Sequence, residues 1–197
     1  PSQSSAASDV YKRQDVFFFQ AQRQDVTVAL VEPQSAVVVS EFERLPSVLA
    51  AEGVRTVAVD FANAHRRHRG AVEGVPASAN LQRVYDAAGE VVRVPPAGLV
   101  LSTALAAKLH VEIGDKVWVE IREGRRPVHQ VPVVDLFETY IGMLAYMEIG
   151  ALNRLLGEGP SVGAVHLLTD QAKEPALFAV LKAVSYTHLR AHETLLD

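Results

Sequence analysis

Cysteine is absent from the 197 residues of this chain. Its absence excludes a disulfide framework, a thiol nucleophile and a thiolate-bound zinc ion, and it fits a protein on either side of a bacterial membrane. Long apolar runs are missing as well, because the nearest one, VFFF at residues 16–19, is far shorter than the ~18 residues that cross a bilayer. The sequence therefore predicts no membrane span in this chain, and no signal-peptide pattern is visible at its N-terminus.

A strong excess of either charge is also missing. The chain has 19 lysines and arginines against 23 aspartates and glutamates, a formal net charge of −4, and 49% hydrophobic residues. This balance is typical of a globular protein and excludes a largely disordered one. Nucleic-acid-binding domains usually carry a basic surface, so the composition predicts no nucleic-acid partner.

The two ends of the chain differ in character from the rest. Residues 1–14 read PSQSSAASDVYKRQ and residues 184–194 read VSYTHLRAHET, and both strings resemble translated sequencing adapters at the ends of metagenomic fragments. We therefore interpret residues 1–14 and 184–197 as non-native tails and exclude them from the predicted fold. The second tail contains His188 and His192, whose spacing suits two zinc ligands on one helix face. Their order does not match the H-E-x-x-H motif, so we predict no metal site there.

The remaining residues alternate between strand-like and helix-like patterns. Alternating β-branched residues predict strands at 25–31, 53–61, 116–122, 127–136 and 161–169. Apolar residues at helical spacing predict helices at 34–45, 100–109, 149–156 and 173–183. This order predicts an α+β fold of two small mixed α/β modules, residues 15–96 and 97–183, which meet near Pro95 and Pro96.

Several local signals predict where these elements begin and end. Pro33 is expected to stop the first strand, and Ser102 to cap the second helix through its hydroxyl group. Gly157 is expected to end the third helix. Asp115 follows Gly114 in a tight turn, where a short carboxylate side chain accepts hydrogen bonds from backbone N–H groups.

Recognised catalytic motifs are missing from residues 15–183. None of the five histidines there lies in a catalytic motif, and no G-x-S-x-G sequence occurs. Residues 157–163 are rich in glycine but lack the lysine of a phosphate-binding loop, so they predict a helix-to-strand connection. His166 lies within an apolar strand, which is typical of a core or edge residue. We therefore predict a protein that is not an enzyme and that has no catalytic, cofactor-binding or metal-binding residues.

A basic run lies between two strand-like segments, where residues 64–70 read AHRRHRG. One interpretation is a solvated hairpin turn, because burying unpaired charge is costly. The other is a contact with an anion or a lipid headgroup. The sequence leaves both open.

Residues 25 to about 183 contain several short motifs in a fixed order. The strongest is GLVLS at 98–102, followed by LA at 105–106 and by GD at 114–115 before a strand. AYM at 145–147 and ALNRLL at 151–156 come later. Together these motifs resemble the large extracytoplasmic domain of bacterial ABC-transporter permeases of the FtsX/MacB type.

The resemblance implies a fold like the MacB-type periplasmic core domain. It also implies a fragment between two membrane spans, on the extracytoplasmic side of the bacterial plasma membrane. A cytoplasmic ATP-binding subunit is the implied partner, reached through membrane helices outside this chain, and there is room for a periplasmic or extracellular partner. Neither binding nor hydrolysis of ATP is expected on this segment. A domain that relays motion needs rigid modules and an interface rather than a reactive group.

Two questions stay open at this point. The apolar stretch 140–147 is either a partner contact through Tyr140, Tyr146 and Met147 or ordinary core packing. The chain could instead be a small soluble β-rich binding module, because a helix, a Gly-Asp turn and a strand also follow one another in small proteins that hold cofactors or substrates. An enzyme with an unrecognised site is the third hypothesis.

Overall fold

The structure, a computed structural model, describes residues 23–140, 142–170, 177, 179, 181 and 189–192. The strands are β1 (Val26–Ser35), β2 (Val48–Asn63), β3 (Arg66–Val75), β4 (Leu99–Ser102), β5 (Lys116–Ile121), β6 (Val128–Phe137), β7 (Ala145–Glu148), β8 (Ser161–Thr169) and β9 (Leu189–His192). The helices are α1 (Val37–Glu43), α2 (Thr103–Leu109) and α3 (Ile149–Leu156). Residues 177, 179 and 181 are also helical. The predicted mixed α/β class is confirmed. No helix in the described part of the chain is long and apolar enough to cross a membrane.

The strands join in one sheet with the order β3-β7-β4-β6-β5-β2-β8-β1-β9. Strand β3 also pairs with β2, so six strands close into a ring: β2, β3, β7, β4, β6 and β5. Among the strand pairs that the structure describes, only β3–β7 and β4–β6 are parallel. Strands β8, β1 and β9 continue outward from β2 as an antiparallel sheet, which we call the outer sheet.

The 16-residue strand β2 belongs to both parts of the molecule. Its first half pairs with β8 of the outer sheet as far as Val54. From Arg55 onward it pairs with β3, and its last residues also pair with β5. One continuous strand therefore runs from the outer sheet into the ring.

Each part has its own hydrophobic core. The ring core contains alternate residues of β2, fully buried Val57, Val59 and Phe61, together with residues of the other ring strands and of helices α2 and α3. The outer-sheet core lies between β1, β2, β8, helix α1 and the helical residues Leu177 and Leu181. Both cores take residues from before and after the predicted junction at residue 96. This follows from the pairing of β2 with β8, which lie far apart in sequence. The division into modules 15–96 and 97–183 stays a prediction.

Elements bounded by local signals match the sequence analysis. Helix α3 and strand β8 have the predicted bounds, and Gly157 ends α3 with a positive φ of 69°. The Ser102 hydroxyl accepts a hydrogen bond from the Leu105 N–H, as expected of a helix cap. The Asp115 carboxylate accepts one from the Glu112 N–H at 2.8 Å. These predictions are confirmed.

Two local predictions are wrong, and the hairpin-turn interpretation of the basic run holds only in part. Pro33 does not end β1, which runs to Ser35; its register with β8 shifts between Ala29 and Gln34, so this proline lies where the ladder is already irregular. The turn of the predicted hairpin consists of Ala64 and His65, the first two residues of the basic run, whereas the rest of the run belongs to β3, which begins at Arg66. Residues 100–102, predicted to start a helix, belong to the buried strand β4, because β4 lies between β6 and β7.

The structure describes part of the second predicted tail and none of the first. Residues 1–14 and His188 lie outside the described residues, as does Val180 of the predicted last helix. Residues 189–192 form strand β9, which pairs with β1 and brings His192 opposite Thr27. That residues 184–197 are a non-native tail stays a prediction.

Candidate functional site

A partly buried hydroxyl–imidazole pair lies between β1 and β8. The Thr27 Oγ1 atom is 2.9 Å from Nδ1 of His166, and Nε2 of His166 has no hydrogen-bond partner. Burial lowers the pKa of His166 to about 4, so its imidazole is neutral and a weak base at neutral pH. A general base works best with a pKa near the working pH. The pair therefore suits fixing the strand register rather than catalysis.

Metal binding has no visible basis in the part of the chain that the structure describes. No three histidine, aspartate or glutamate side chains there come close enough together to hold an ion. His192 lies in β9, and the placement of its side chain, like that of His188, falls outside the described residues. The predicted absence of a metal site therefore stays a prediction.

The three residues of the predicted partner contact are not brought together on one surface. Tyr140 is 68% exposed, whereas Tyr146 is 9% and Met147 only 2% exposed. The Tyr146 ring packs against Phe137 with 5.6 Å between ring centroids. The burial of Tyr146 and Met147 agrees with core packing, and a partner contact through Tyr140 stays a prediction.

Tyr146 also lies beside a buried carboxylate. Residue Glu73 is opposite Tyr146 in the β3–β7 pair and accepts a 2.6 Å hydrogen bond from Nε2 of Gln82. Burial raises the pKa of Glu73, and burial together with the Glu73 charge raises the pKa of Tyr146. Tyr146 is therefore held as a neutral phenol in the core, which fits a packing role.

The most unusual charged group lies where β2 passes from the outer sheet into the ring. Arg55 is 5% exposed, at an inward position two residues before Val57. Its guanidinium donates a 2.9 Å hydrogen bond to Glu123, in the turn between β5 and β6. A carboxylate oxygen of Glu158, in the connection between α3 and β8, is 3.9 Å away. Arg55 therefore links a ring turn to an outer-sheet connection through one buried cation, and we call Arg55, Glu123 and Glu158 the junction cluster.

A partly open cavity of 370 Å³ adjoins the junction cluster. Its lining comes from β1, β2, β8 and the turn at Glu123: Leu30, Val31, Pro33, Arg55, Thr56, Glu123, Gly163 and Ala164. The Nε atom of Arg55 is buried and has no hydrogen-bond partner. Because two carboxylates already surround the guanidinium, the cluster favours holding two segments together over binding a further anion.

Sequence reasoning did not single out Arg55, although a signal was present. The run GVRTVAV places an arginine on the same face of the predicted strand as Val57 and Val59. An ionised residue at an inward strand position requires a buried partner, so this pattern predicts an internal ion pair. What the sequence does not contain is the identity of the partner, 68 residues away.

The basic run lies at the opposite end of β2. Arg69 and Arg122 both pair with the Asp60 carboxylate, and their hydrogen bonds and charges lower the pKa of Asp60. Arg66 and Arg67 make no ion pair with a described carboxylate. The run is thus only partly neutralised within the described fold.

Comparison with known proteins gives matches in structure but not in sequence. No family model matches the chain, and no curated protein matches it. The extracellular domain of the noncanonic ABC-type transporter YknZ from Gram-positive bacteria matches with a TM-score of 0.53 at 12% identity, covering 80% of this chain and 87% of that one. The periplasmic region of MacB from Actinobacillus actinomycetemcomitans matches with a TM-score of 0.56 at 8% identity, covering 92% and 94%. The chain therefore has the fold of extracytoplasmic domains of ABC-type transporters, which confirms the predicted MacB-type architecture.

Proposed function

We propose that this chain is a fragment of the extracytoplasmic domain of an ABC-transporter permease, and that it is not catalytic. The observation that carries the proposal is the shared fold with domains of YknZ and MacB over at least four-fifths of the chain. On this proposal the segment lies outside the bacterial plasma membrane. Its partners are a cytoplasmic ATP-binding subunit, reached through membrane helices outside this chain, and a periplasmic or extracellular protein.

The proposed task is to couple motion driven by the ATPase to transport or signalling. Strand β2 supports this role because it belongs to both the ring and the outer sheet without a break. The junction cluster supports it too, since Arg55 ties the turn at Glu123 to the connection at Glu158. Helix α3 also contacts both cores, since Leu152 lies in the ring core and Ile149 packs against the outer-sheet core. Two cores joined by a strand, a helix and an ionic link can pass a displacement from one to the other.

Recovery of the complete gene tests the assignment. We expect hydrophobic spans upstream of Asp15 and downstream of Ala183, with an ATPase gene beside them. A complete reading frame that ends near Ala183 without any span would overturn the proposal and would favour the soluble binding module.

Substitution of Arg55 in the complete transporter tests the coupling role. The Arg55→Met variant keeps the volume of the side chain and removes the ionic link, so we expect ATP hydrolysis to continue while transport falls. Arg126→Met is the matched control, because Arg126 pairs with Glu120 at 3.8 Å on the exposed rim of the ring. Equal transport by Arg55→Met and Arg126→Met would contradict a coupling role for the junction cluster.

Tyr140 carries the proposed contact with an extracytoplasmic partner. Because its side chain is 68% exposed, Tyr140→Ala should leave the melting temperature of the domain unchanged and weaken transport. Tyr146→Ala should lower the melting temperature, because Tyr146 packs in the core. Full transport activity of the Tyr140→Ala variant would show that Tyr140 does not take part in such a contact.

A further inference from the structure

Four elements begin or end close together at one end of the ring. Strand β2 ends at Asn63, β3 begins at Arg66, and α2 ends at Leu109. The Asn63 amide donates hydrogen bonds to the carbonyl oxygens of Leu109 at 3.0 Å and His110 at 3.2 Å, which fixes the β2–β3 hairpin to the end of α2. Strand β5 begins at Lys116, just beyond the pairing of Trp118 with Ala62 at the end of β2. We call this end, with the turn before β5, the basic end of the ring.

Positive charge at the basic end exceeds negative charge. Arg66, Arg67, Lys108 and Lys116 make no ion pair with any carboxylate of the described residues. The acidic side chains at this end are Glu112 and Asp115, and the Asp115 carboxylate is already bonded to a backbone N–H group. The charge of Lys108 also contributes, after burial, to a lowered pKa of His68. An excess of cations at one end stands out in a chain whose formal net charge is −4.

Two large apolar side chains are exposed beside these cations. Trp118 is 47% exposed on the outer face of the ring, and Ile113 is 60% exposed in the turn before β5. Trp118 lies opposite Ala62, which in turn lies opposite Arg67. Residues directly opposite each other on antiparallel strands share a face, so Trp118 and Arg67 point the same way on either side of a small residue. Lys116, two residues before Trp118, shares that face as well.

This combination fits an anionic membrane surface better than a small ligand. The cations and the two apolar side chains lie on the outer face of β5, on the start of β3, on the end of α2 and in the turn before β5, and they are exposed, whereas small ligands bind in concave sites. Indole rings favour the boundary between headgroups and acyl chains, and neighbouring lysines and arginines are attracted to anionic lipids. We propose that the basic end of the ring docks on the headgroup layer of an anionic phospholipid membrane, with Trp118 and Ile113 entering that layer.

The single tryptophan of the chain allows a direct test. The full 197-residue chain is mixed with vesicles of phosphatidylcholine and phosphatidylglycerol, and separately with pure phosphatidylcholine. We expect sedimentation with the anionic vesicles only, a shift of Trp118 emission to shorter wavelength, and quenching by brominated acyl chains. Raising the salt from about 0.05 M to about 1 M should release the protein, because screening shortens the range of the attraction.

Two double variants with the same change in net charge distinguish an effect of this site on vesicle binding from an effect of net charge alone. Arg67→Glu with Lys116→Glu should weaken vesicle binding by at least about tenfold. Arg44→Glu with Arg93→Glu changes two exposed arginines elsewhere and should leave binding within about twofold. Arg67→Gln with Lys116→Gln adds no negative charge and provides a second measurement if the first variant folds poorly. We expect this variant to lose about fivefold in vesicle binding.

Four results would each overturn the proposal. They are no binding to anionic vesicles, binding without any change in Trp118 emission, equal losses in the two double glutamate variants, and binding to polyglutamate with none to vesicles. The last result would assign the basic end to an acidic protein partner. The vesicle assay does not depend on a transporter, so its outcome is separate from that of the proposed function.

Discussion

Arg55 and Glu123 form one ion pair, but they are buried to very different extents. The Arg55 side chain is 6% exposed and that of Glu123 is 40% exposed. Removing Glu123 leaves a buried cation with only Glu158 near it, whereas removing Arg55 leaves a carboxylate that water can reach. We therefore expect Glu123→Ala to lower the free energy of unfolding by about 2 kcal/mol and Arg55→Met by less than about 1 kcal/mol.

Urea unfolding of the two variants measures this difference. Glu158→Ala is the control, because its carboxylate lies 3.9 Å from Arg55 and is 46% exposed, so the expected loss is about 0.5 kcal/mol or less. A larger loss for Arg55→Met than for Glu123→Ala would mean that the packing of the arginine stem, rather than its charge pair, stabilises the junction.

His166 should make stability depend on pH. In the folded chain its pKa is about 4, below the ordinary value of 6.5. The unfolded chain therefore binds a proton as the pH falls below about 6.5 while the folded chain does not, so the free energy of unfolding decreases from there down to about pH 4. The decrease due to this residue is up to about 3 kcal/mol.

The His166→Gln variant isolates that contribution, because glutamine does not titrate. We expect urea unfolding at several pH values to give a shallower loss of stability in acid for His166→Gln than for the original chain. Parallel curves would show that His166 has the same pKa in the folded and unfolded states.

Local sequence signals were sufficient to predict the bounds of some helices and strands but not of others. The bounds of α3 and β8 follow from a glycine with positive φ and an alternating apolar pattern, both of which are local. The length of β2 and the conversion of residues 100–102 into a strand depend on pairing with β8, β6 and β7. Such pairing joins residues far apart in sequence, so composition and periodicity do not reveal it.

The candidate sites divide in the same way. The sequence singled out the basic run and Tyr140, and it contains an arginine within an apolar strand pattern, which indicates the junction cluster. The partners of that arginine come from two separate turns, and the exposure of Trp118 beside Arg67 results from strand register. Both arrangements depend on how the strands pair in the folded ring, so the sequence alone does not reveal them.

Gly53 shows how closely the elements of the outer sheet pack. A Cβ atom at this position would lie 2.4 Å from Cγ1 of Val162 on β8 and 2.9 Å from Cγ2 of Val39 on α1. Valine side chains are stiff, so the helix or the strand would have to move. We expect Gly53→Ala to lower the free energy of unfolding by about 2 kcal/mol.

A second substitution tests whether steric contact is the cause. Val162→Ala removes the nearer methyl groups, so the double variant should be more stable than the sum of the two single losses implies. Gly159→Ala is the control, since a Cβ atom there meets nothing within 4 Å. Additive losses for Gly53 and Val162 would point to backbone flexibility instead of a clash.

At the scale of the whole molecule, the question is whether the ring and the outer sheet unfold together. They have separate cores, but β2 belongs to both and Arg55 ties their connections. Disrupting one core therefore removes the pairing partner that holds β2 in the other. We expect one cooperative transition, in which damage to either core destabilises both parts.

Leu101 and Leu167 provide a matched pair for this test, because each is fully buried, one in the ring core and one in the outer-sheet core. Replacement of either leucine by alanine should cost about 3 kcal/mol. Trp118 reports only on the ring, whereas far-ultraviolet circular dichroism reports on all elements. Leu167→Ala should shift the urea midpoint of Trp118 fluorescence as far as Leu101→Ala does, and the midpoints from fluorescence and circular dichroism should coincide. Leu49→Ala, at a site that is 65% exposed, should shift neither midpoint. If Leu167→Ala leaves the Trp118 midpoint in place, the two parts unfold independently, and β2 does not transmit a disturbance from the outer sheet to the ring.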